Sequence, residues 1–272
     1  LLTHLWQARW KEPTIRMTGP TTAEIVDPTG EVTHEWLEGA WLDIVEGTGM
    51  GQLRQILRRD GNTIEIDKPW RTDPDATSNV VFTAPAPFRN LNLIDNHVAS
   101  KAINIIIWGT SYNVMADGNY VAEGRGLSTW SIRLAADQKV WGGAFFTSFI
   151  NNIADRCHYN TPTRQPQIQH AVGLFNIMGQ HATAVADGYD FLGLIMRNNF
   201  AVNDTGIGFR KTFHRAGWET ARQARDAGVV VERNHVADGM IGIVLEKGAR
   251  VVERNNSFDQ VEFPLTWVEP GA

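Results

Sequence analysis

One phrase returns along the second half of this chain, and it limits the possible architecture more than any other feature. It reads "NLIDNHV" (92–98), "VMADGNYV" (114–121), "FINNIA" (149–154), "LIMRNNFAV" (194–202), "VVVERNHVA" (229–237) and "VVERNNSF" (251–258). Each copy runs from apolar residues through a polar or charged position to an Asn, then to another apolar residue. A second apolar strip follows several copies at a similar distance: "INIII" (103–107), "GIGF" (206–209) and "IGIVL" (241–245). With Asn96, Asn119, Asn152, Asn198, Asn234 and Asn255 as the recurrent residues, the separations are 23, 33, 46, 36 and 21. The shortest are close to one turn of a stacked β-coil, about 20–25 residues, and the longer ones imply inserted loops or paired turns. A coil of that size cannot bury its apolar face alone, so it must stack on its neighbours.

The recurrent Asn has a physical reason. Asn tolerates the left-handed backbone region that a corner needs. Its amide both donates and accepts, so stacked copies can form a hydrogen-bonded ladder. The rhythm resembles the right-handed parallel β-helix of the pectate-lyase-like superfamily, over roughly residues 80–265. The resemblance implies an all-β fold with coils, long loops walling a groove, and a substrate lying along one long parallel sheet. A β-sandwich is the competing arrangement, and the repeated "RN(N/H)" phrase argues against it.

The first third reads differently. "EGTGMGQLRQ" (46–55) holds Gly47, Gly49 and Gly51, which raises the question of a phosphate loop. Such a loop needs a strand before it and a helix N-terminus after it. Here "AWLDIVEG" alternates before the glycines, and "TIEID" alternates after an Asp60-Gly61-Asn62 hairpin signal. The glycines therefore join strand to strand, which predicts a tight turn. "GTGMGQLRQI", "NTIEIDKPW" and "PDATS" together resemble a small structural β module found beside or within large β-helix and phage structural proteins. The expected organisation is a hairpin-rich β module over 1–83, then coils with inserted loops over 84–272.

Composition narrows the chemistry. A net charge of -5 with scattered Lys and Arg gives no footprint for nucleic acid. No apolar run approaches the roughly 20 residues of a membrane helix. A single Cys157 excludes an internal disulfide framework and a multi-cysteine zinc site. With His158 beside it in sequence, the two would point to opposite faces of a strand, which is poor nucleophile geometry. The chain begins "LLTHLWQARW" without an initiator Met, so it reads as a mature or truncated piece. The resemblance implies an extracellular or periplasmic location.

Three segments read as insertions: 124–145 with Trp130, Arg133, Lys139 and Trp141; 156–190 with His158, Arg164, His170, His181, Asp187 and Asp190; and 210–227 with Arg210, Lys211, His214, Arg215 and Trp218. Aligning "GIGF" with "IGIV" puts Asp204 and Asp238 at equivalent positions of two coils, with Glu123 a looser match. Stacked acids suit glycoside hydrolysis, one protonating the leaving oxygen and the other activating water or attacking carbon. The competing reading is a turn, because "NDTG" and "ADGM" are sequences in which Asp bonds its own backbone. A lyase needs a base and a group that neutralises a uronate; Arg210, Lys211 and His214 supply candidates, with calcium as the cofactor of that chemistry. His97 and His235 both follow a recurrent Asn directly, which fits a column of outward side chains, with a structural polar position on the surface of the coil as the preferred reading.

The expectation is a carbohydrate-active protein that cleaves a polysaccharide by hydrolysis or elimination. Its proposed catalytic residues are Asp204, Asp238, Arg210 and His214. Glu123, Trp130, Trp141, Lys211 and Trp218 are its candidate substrate contacts, and no cofactor is needed for hydrolysis. The alternative is a noncatalytic polysaccharide-binding or structural β-helix. The two differ spatially: an enzyme gathers its acids in one groove, whereas a structural protein spreads them around corners, each bonded to its own turn.

Overall fold

A computed structural model describes residues 7–8, 14–26, 37–83, 88–101, 104–108, 111–130, 132–133, 141–142, 144–157, 172–174, 189–209, 225–247 and 250–268. The described residues form β-strands and turns without an α-helix. The chain divides into two units, one of residues 4–87 with 137–141 and one of residues 1–3, 88–136 and 142–272.

The first unit is an antiparallel sheet. Its central hairpin joins Trp41–Glu46 to Leu53–Asp60, with Asp43 opposite Leu53. A second hairpin joins Leu53–Asp60 to Thr63–Ile66 through Gly61, whose φ of 55° fits the predicted turn. Alternation in "TIEI" buries Ile64 and Ile66 and exposes Thr63 and Glu65. The buried set, including Leu42, Ile44, Ile56 and Phe82, forms one core.

The glycine stretch is a strand-to-strand turn, as its flanks predict. Gly47, Gly49 and Gly51 all have positive φ, at 77°, 81° and 88°. The "PDATS" segment braces them. Thr48 Oγ1 donates to Asp75 Oδ2 at 2.7 Å, and Ser78 Oγ donates to the Thr48 carbonyl at 2.7 Å. Gln52 bonds the Thr72 carbonyl and accepts from the Arg71 amide. Arg54 packs its guanidinium 4.5 Å above the Trp70 ring while donating to the Pro69 carbonyl. The three phrases that resemble a known module thus form a single bonded network.

In the second unit, six passes of the chain lie side by side among the described residues. The first holds strands Phe88–Ile94, His97–Ala99 and Ile105–Trp108. The second holds Ser111–Asp117, Tyr120–Ala122 and Leu127–Trp130. The third holds Ala144–Ile150, Ile153–Asp155 and Val172–Leu174. The fourth holds Tyr189–Leu192, Ile195–Arg197, Phe200–Val202 and Gly206–Phe209. The fifth holds Arg225–Ala227, Val229–Glu232 and His235–Glu246, and the sixth Val251–Arg254 and Ser257–Val268.

Among the described residues every pairing between neighbouring passes is parallel; register shifts at Val172–Leu174 and at Tyr189–Phe191, and is unbroken along the strands that follow the recurrent Asn. Val121 faces Ala154, Ala154 faces Ala201, Ala201 faces Val236, and Val236 faces Phe258. These aligned positions point inward, where Val121, Ala154, Ala201 and Val236 are fully buried with Phe149, Met196, Ile207 and Phe209. Stacking of like on like explains why a short apolar strip per pass is enough: each strip is covered by the next.

Candidate functional site

Two corners organise the surface of the stack. At the first, one Asn per pass bonds the next. Asn119 Nδ2 donates to Asn152 Oδ1 at 2.8 Å, Asn152 to Asn199 at 3.0 Å, Asn199 to Asn234 at 2.9 Å and Asn234 to Asn256 at 2.9 Å. Asn96 starts the series through Asn119. The backbone amide of each of these first five residues also donates to the same oxygen, so that carbonyl accepts twice.

This ladder corrects two positions of the sequence reading. Its members are Asn199 and Asn256, not Asn198 and Asn255. The latter two are bend residues, with φ of 54° and 55°. The same bend falls on Asp95, Gly118, Asn151 and Arg233, always one residue before the ladder. The signal was present in the sequence: the ladder Asn is the one directly before the short strand that opens with His97, Tyr120, Ile153, Phe200, His235 or Ser257.

The second corner carries the candidate acids. Register places Glu123, Arg156, Asn203, Asp238 and Gln260 in one row, one per pass, because Ala122, Asp155, Val202, Ala237 and Asp259 precede them in matched positions. All five are exposed and have left-handed φ, between 50° and 65°. Asp204 is an additional left-handed residue beside Asn203, with φ of 59°. It lies against Asp238 in the neighbouring pass: the Asp204 amide donates to the Asp238 carbonyl at 2.8 Å. Its Oδ1 accepts from the Met240 amide of the neighbouring pass at 3.3 Å, a bond between passes and not the bond to its own turn that "NDTG" predicts.

Below this row sits a bonded polar group. Asp155 is 7% exposed. It accepts from the Tyr120 hydroxyl at 2.8 Å and from Asn203 Nδ2 at 2.8 Å, and pairs with Arg156 at 2.9 Å. The bond to Asp155, then burial, raises the Tyr120 phenol above its ordinary pKa, so Tyr120 stays a donor. Arg156 also approaches Glu123 at 3.8 Å. Asp155 thereby fixes both Asn203 and Arg156 in the exposed row.

His97 and His235 do share an outward column, with Tyr120, Ile153, Phe200 and Ser257. His97 meets Tyr120 edge-on at 4.6 Å between ring centres, and Phe200 stacks on His235 at 5.1 Å. His235 Nδ1 is 2.8 Å from Ser257 Oγ.

On the other side of the ladder, Glu232 is 3% exposed and lies between two arginines. Arg197 Nε donates to its Oε1 at 2.6 Å and Arg254 Nε to its Oε2 at 2.6 Å. The Arg254 bond, and then Arg197, hold the Glu232 carboxyl below the usual carboxylate range against the opposing effect of desolvation. Cys157 lies in the core, and burial pushes its thiol up to about 11, which removes it as a nucleophile near neutral pH.

The other candidates fall as follows. Trp130 ends its strand in register with Trp108, and Trp141 opens the strand Trp141–Gly142. Arg210, Lys211, His214 and Trp218 lie outside the described residues. Among the described residues, no group of three or more His, Cys, Asp and Glu is placed to hold a metal ion. No protein-family profile matches the chain, and no curated protein matches it.

Proposed function

We propose that the parallel stack is a right-handed β-helix, and that its second corner binds an extended polysaccharide without cleaving it. The observation that carries this reading is the exposed row Glu123, Arg156, Asn203, Asp238 and Gln260. It repeats once per pass, at a spacing of about 4.8 Å. A row of donors and acceptors with a fixed period suits a polymer with a repeating set of hydroxyl groups. Tethering of Asn203 and Arg156 through Asp155 lowers the ordering cost of binding. Right-handedness is the expected hand of parallel β connections. The bond that Asp204 accepts from the Met240 amide on the neighbouring pass favours a structural role for that acid.

A second reading, hydrolysis, is favoured by one contact: Asp204 and Asp238 are backbone neighbours on adjacent passes. Retaining glycosidases hold their two carboxyl groups about 5–5.5 Å apart, close to the separation of adjacent strands.

A panel of neutral and acidic polysaccharides tests both. Binding is measured by calorimetry, and products by reducing ends and by the ultraviolet absorbance of unsaturated sugars. The expected result is binding without products, weakened when Asn203→Ala and Gln260→Ala are combined. Reducing ends that vanish in Asp204→Ala or Asp238→Ala would replace this reading with hydrolysis. Unsaturated products would move the site to Arg210, Lys211 and His214. Wild-type binding in the double variant would remove the row from the interface.

A further inference from the structure

The clamp around Glu232 carries more positive charge than the carboxylate needs. One guanidinium is enough to neutralise a buried carboxylate. Here Arg197 and Arg254 reach it from the passes on either side, and each uses its Nε on a different oxygen. Arg197 also sets its Nη2 2.6 Å from the same Oε1, and the two arginine side chains stay 39% and 61% exposed while held in place. Arg233 adds a third exposed guanidinium at the bend directly after Glu232, and its amide bonds the Arg254 carbonyl at 3.2 Å. Two guanidiniums, Arg197 and Arg254, share the one buried carboxylate of Glu232, on a chain whose net charge is -5. Glu253, next to Arg254, accepts from Asn256 Nδ2 at 2.7 Å and keeps its own charge on that side of the strand.

We propose that Arg197, Arg233 and Arg254 form a binding site for an oxyanion, a sulfate, phosphate or carboxylate group carried by a ligand. Guanidinium planes match such groups by paired N–H donors. Glu232 is the positioning residue: it aims Arg197 and Arg254 outward and removes the entropy that free arginine side chains would lose on binding. The site lies across the ladder from the Asn203 row and stands independently of the polysaccharide reading.

Inorganic sulfate and phosphate, followed through the arginine Nε resonances, test the site directly. Short dextran sulfate, polygalacturonate and uncharged dextran then separate the sources of the anion. Sulfate is expected to shift the Arg197 and Arg254 resonances saturably. One or both of the charged polymers are expected to bind, with affinity falling as salt rises, and uncharged dextran is not expected to bind here. Arg254→Gln leaves Glu232 paired with Arg197, so the fold is retained; it should weaken the charged polymer that binds by about tenfold. Arg233→Gln should weaken it less. Unshifted resonances, or unchanged polymer affinity in both variants, would overturn the proposal. Loss of neutral-polymer binding alone bears on the Asn203 row and leaves this site standing.

Discussion

Asn152 and Asn199 are 47 positions apart, yet the side-chain amide of one donates to the side-chain carbonyl of the other at 3.0 Å, and both are buried. The other steps of the ladder span 22 to 35 positions, so this one carries the longest insertion. The insertion changes nothing at this corner, because the ladder is a contact between neighbours in space.

The ladder should dominate stability. Asn152 Oδ1 accepts from the Asn119 amide and side chain, and its Nδ2 serves Asn199 and the Ala116 carbonyl. Asn152→Ala orphans several buried groups and should cost about 3 kcal/mol or more, at about 1–3 kcal/mol for each unsatisfied group. Asn96→Ala, at the exposed end, should cost about 1 kcal/mol. Urea unfolding of the two variants checks the contrast.

Neighbouring asparagines should respond in opposite ways. Asn198 is exposed at a left-handed bend and Asn199 is buried in the ladder. Asn198→Gly should be tolerated, since glycine adopts that backbone freely. Asn199→Gly should cost about 3 kcal/mol, because it removes the bonds to Asn234 and Phe149. Equal thermal midpoints for the two variants would contradict the assignment of roles.

Glu232 should make stability depend on acid pH. Its pKa is lowered in the folded protein, so the stability it supplies is fully present above its unfolded value of about 4.3. That contribution is lost as pH falls through the lower, folded value. The difference in stability between wild type and Glu232→Gln should therefore be constant above about pH 5 and shrink below it. Unfolding curves across that range report the slope.

Cys157 should be silent to thiol reagents in the folded protein. It is buried, with its thiol raised to about 11 and its Sγ near the Val121 carbonyl. Alkylation at pH 8 should proceed only through unfolding, so its rate should track denaturant rather than reagent access. Rapid labelling in native buffer would mean that this part of the core opens.

Gly47 should tolerate no side chain. Its φ is 77°, and an added Cβ would stand 1.9 Å from the Thr77 carbonyl oxygen. Gly47→Ala should separate the turn from the "PDATS" brace and cost about 2 kcal/mol or more. Gly61→Ala, at φ 55° but with open space around it, should cost only about 1 kcal/mol. Unfolding of each variant, followed by Trp fluorescence, checks the order.

Much of the architecture was legible because it is written in local terms. A bend needs a residue that accepts left-handed φ, and a stacked strip needs short apolar runs; both recur in the Asn phrases. The Gly47–Gly51 turn was legible for the same reason, since alternation on both sides left no helix. The candidate site was legible only in part. Asp204 and Asp238 were aligned as equivalents, but register matches Asp238 with Asn203, one residue earlier, in a row with Glu123, Arg156 and Gln260. No shared residue type links those positions; they are matched only by register. The Arg197–Glu232–Arg254 clamp was missed because its members come from three passes.

By itself, the sequence determined that this chain makes corners at regular places and buries one short strip per pass, because backbone preference and hydrophobic patterning act within a few residues. Only the tertiary structure decided which Asn of a pair bends the chain and which bonds its neighbour. Adjacent residues point to opposite sides, so a one-residue difference separates a solvated corner from a buried ladder, and only the passes above and below can fix which is which.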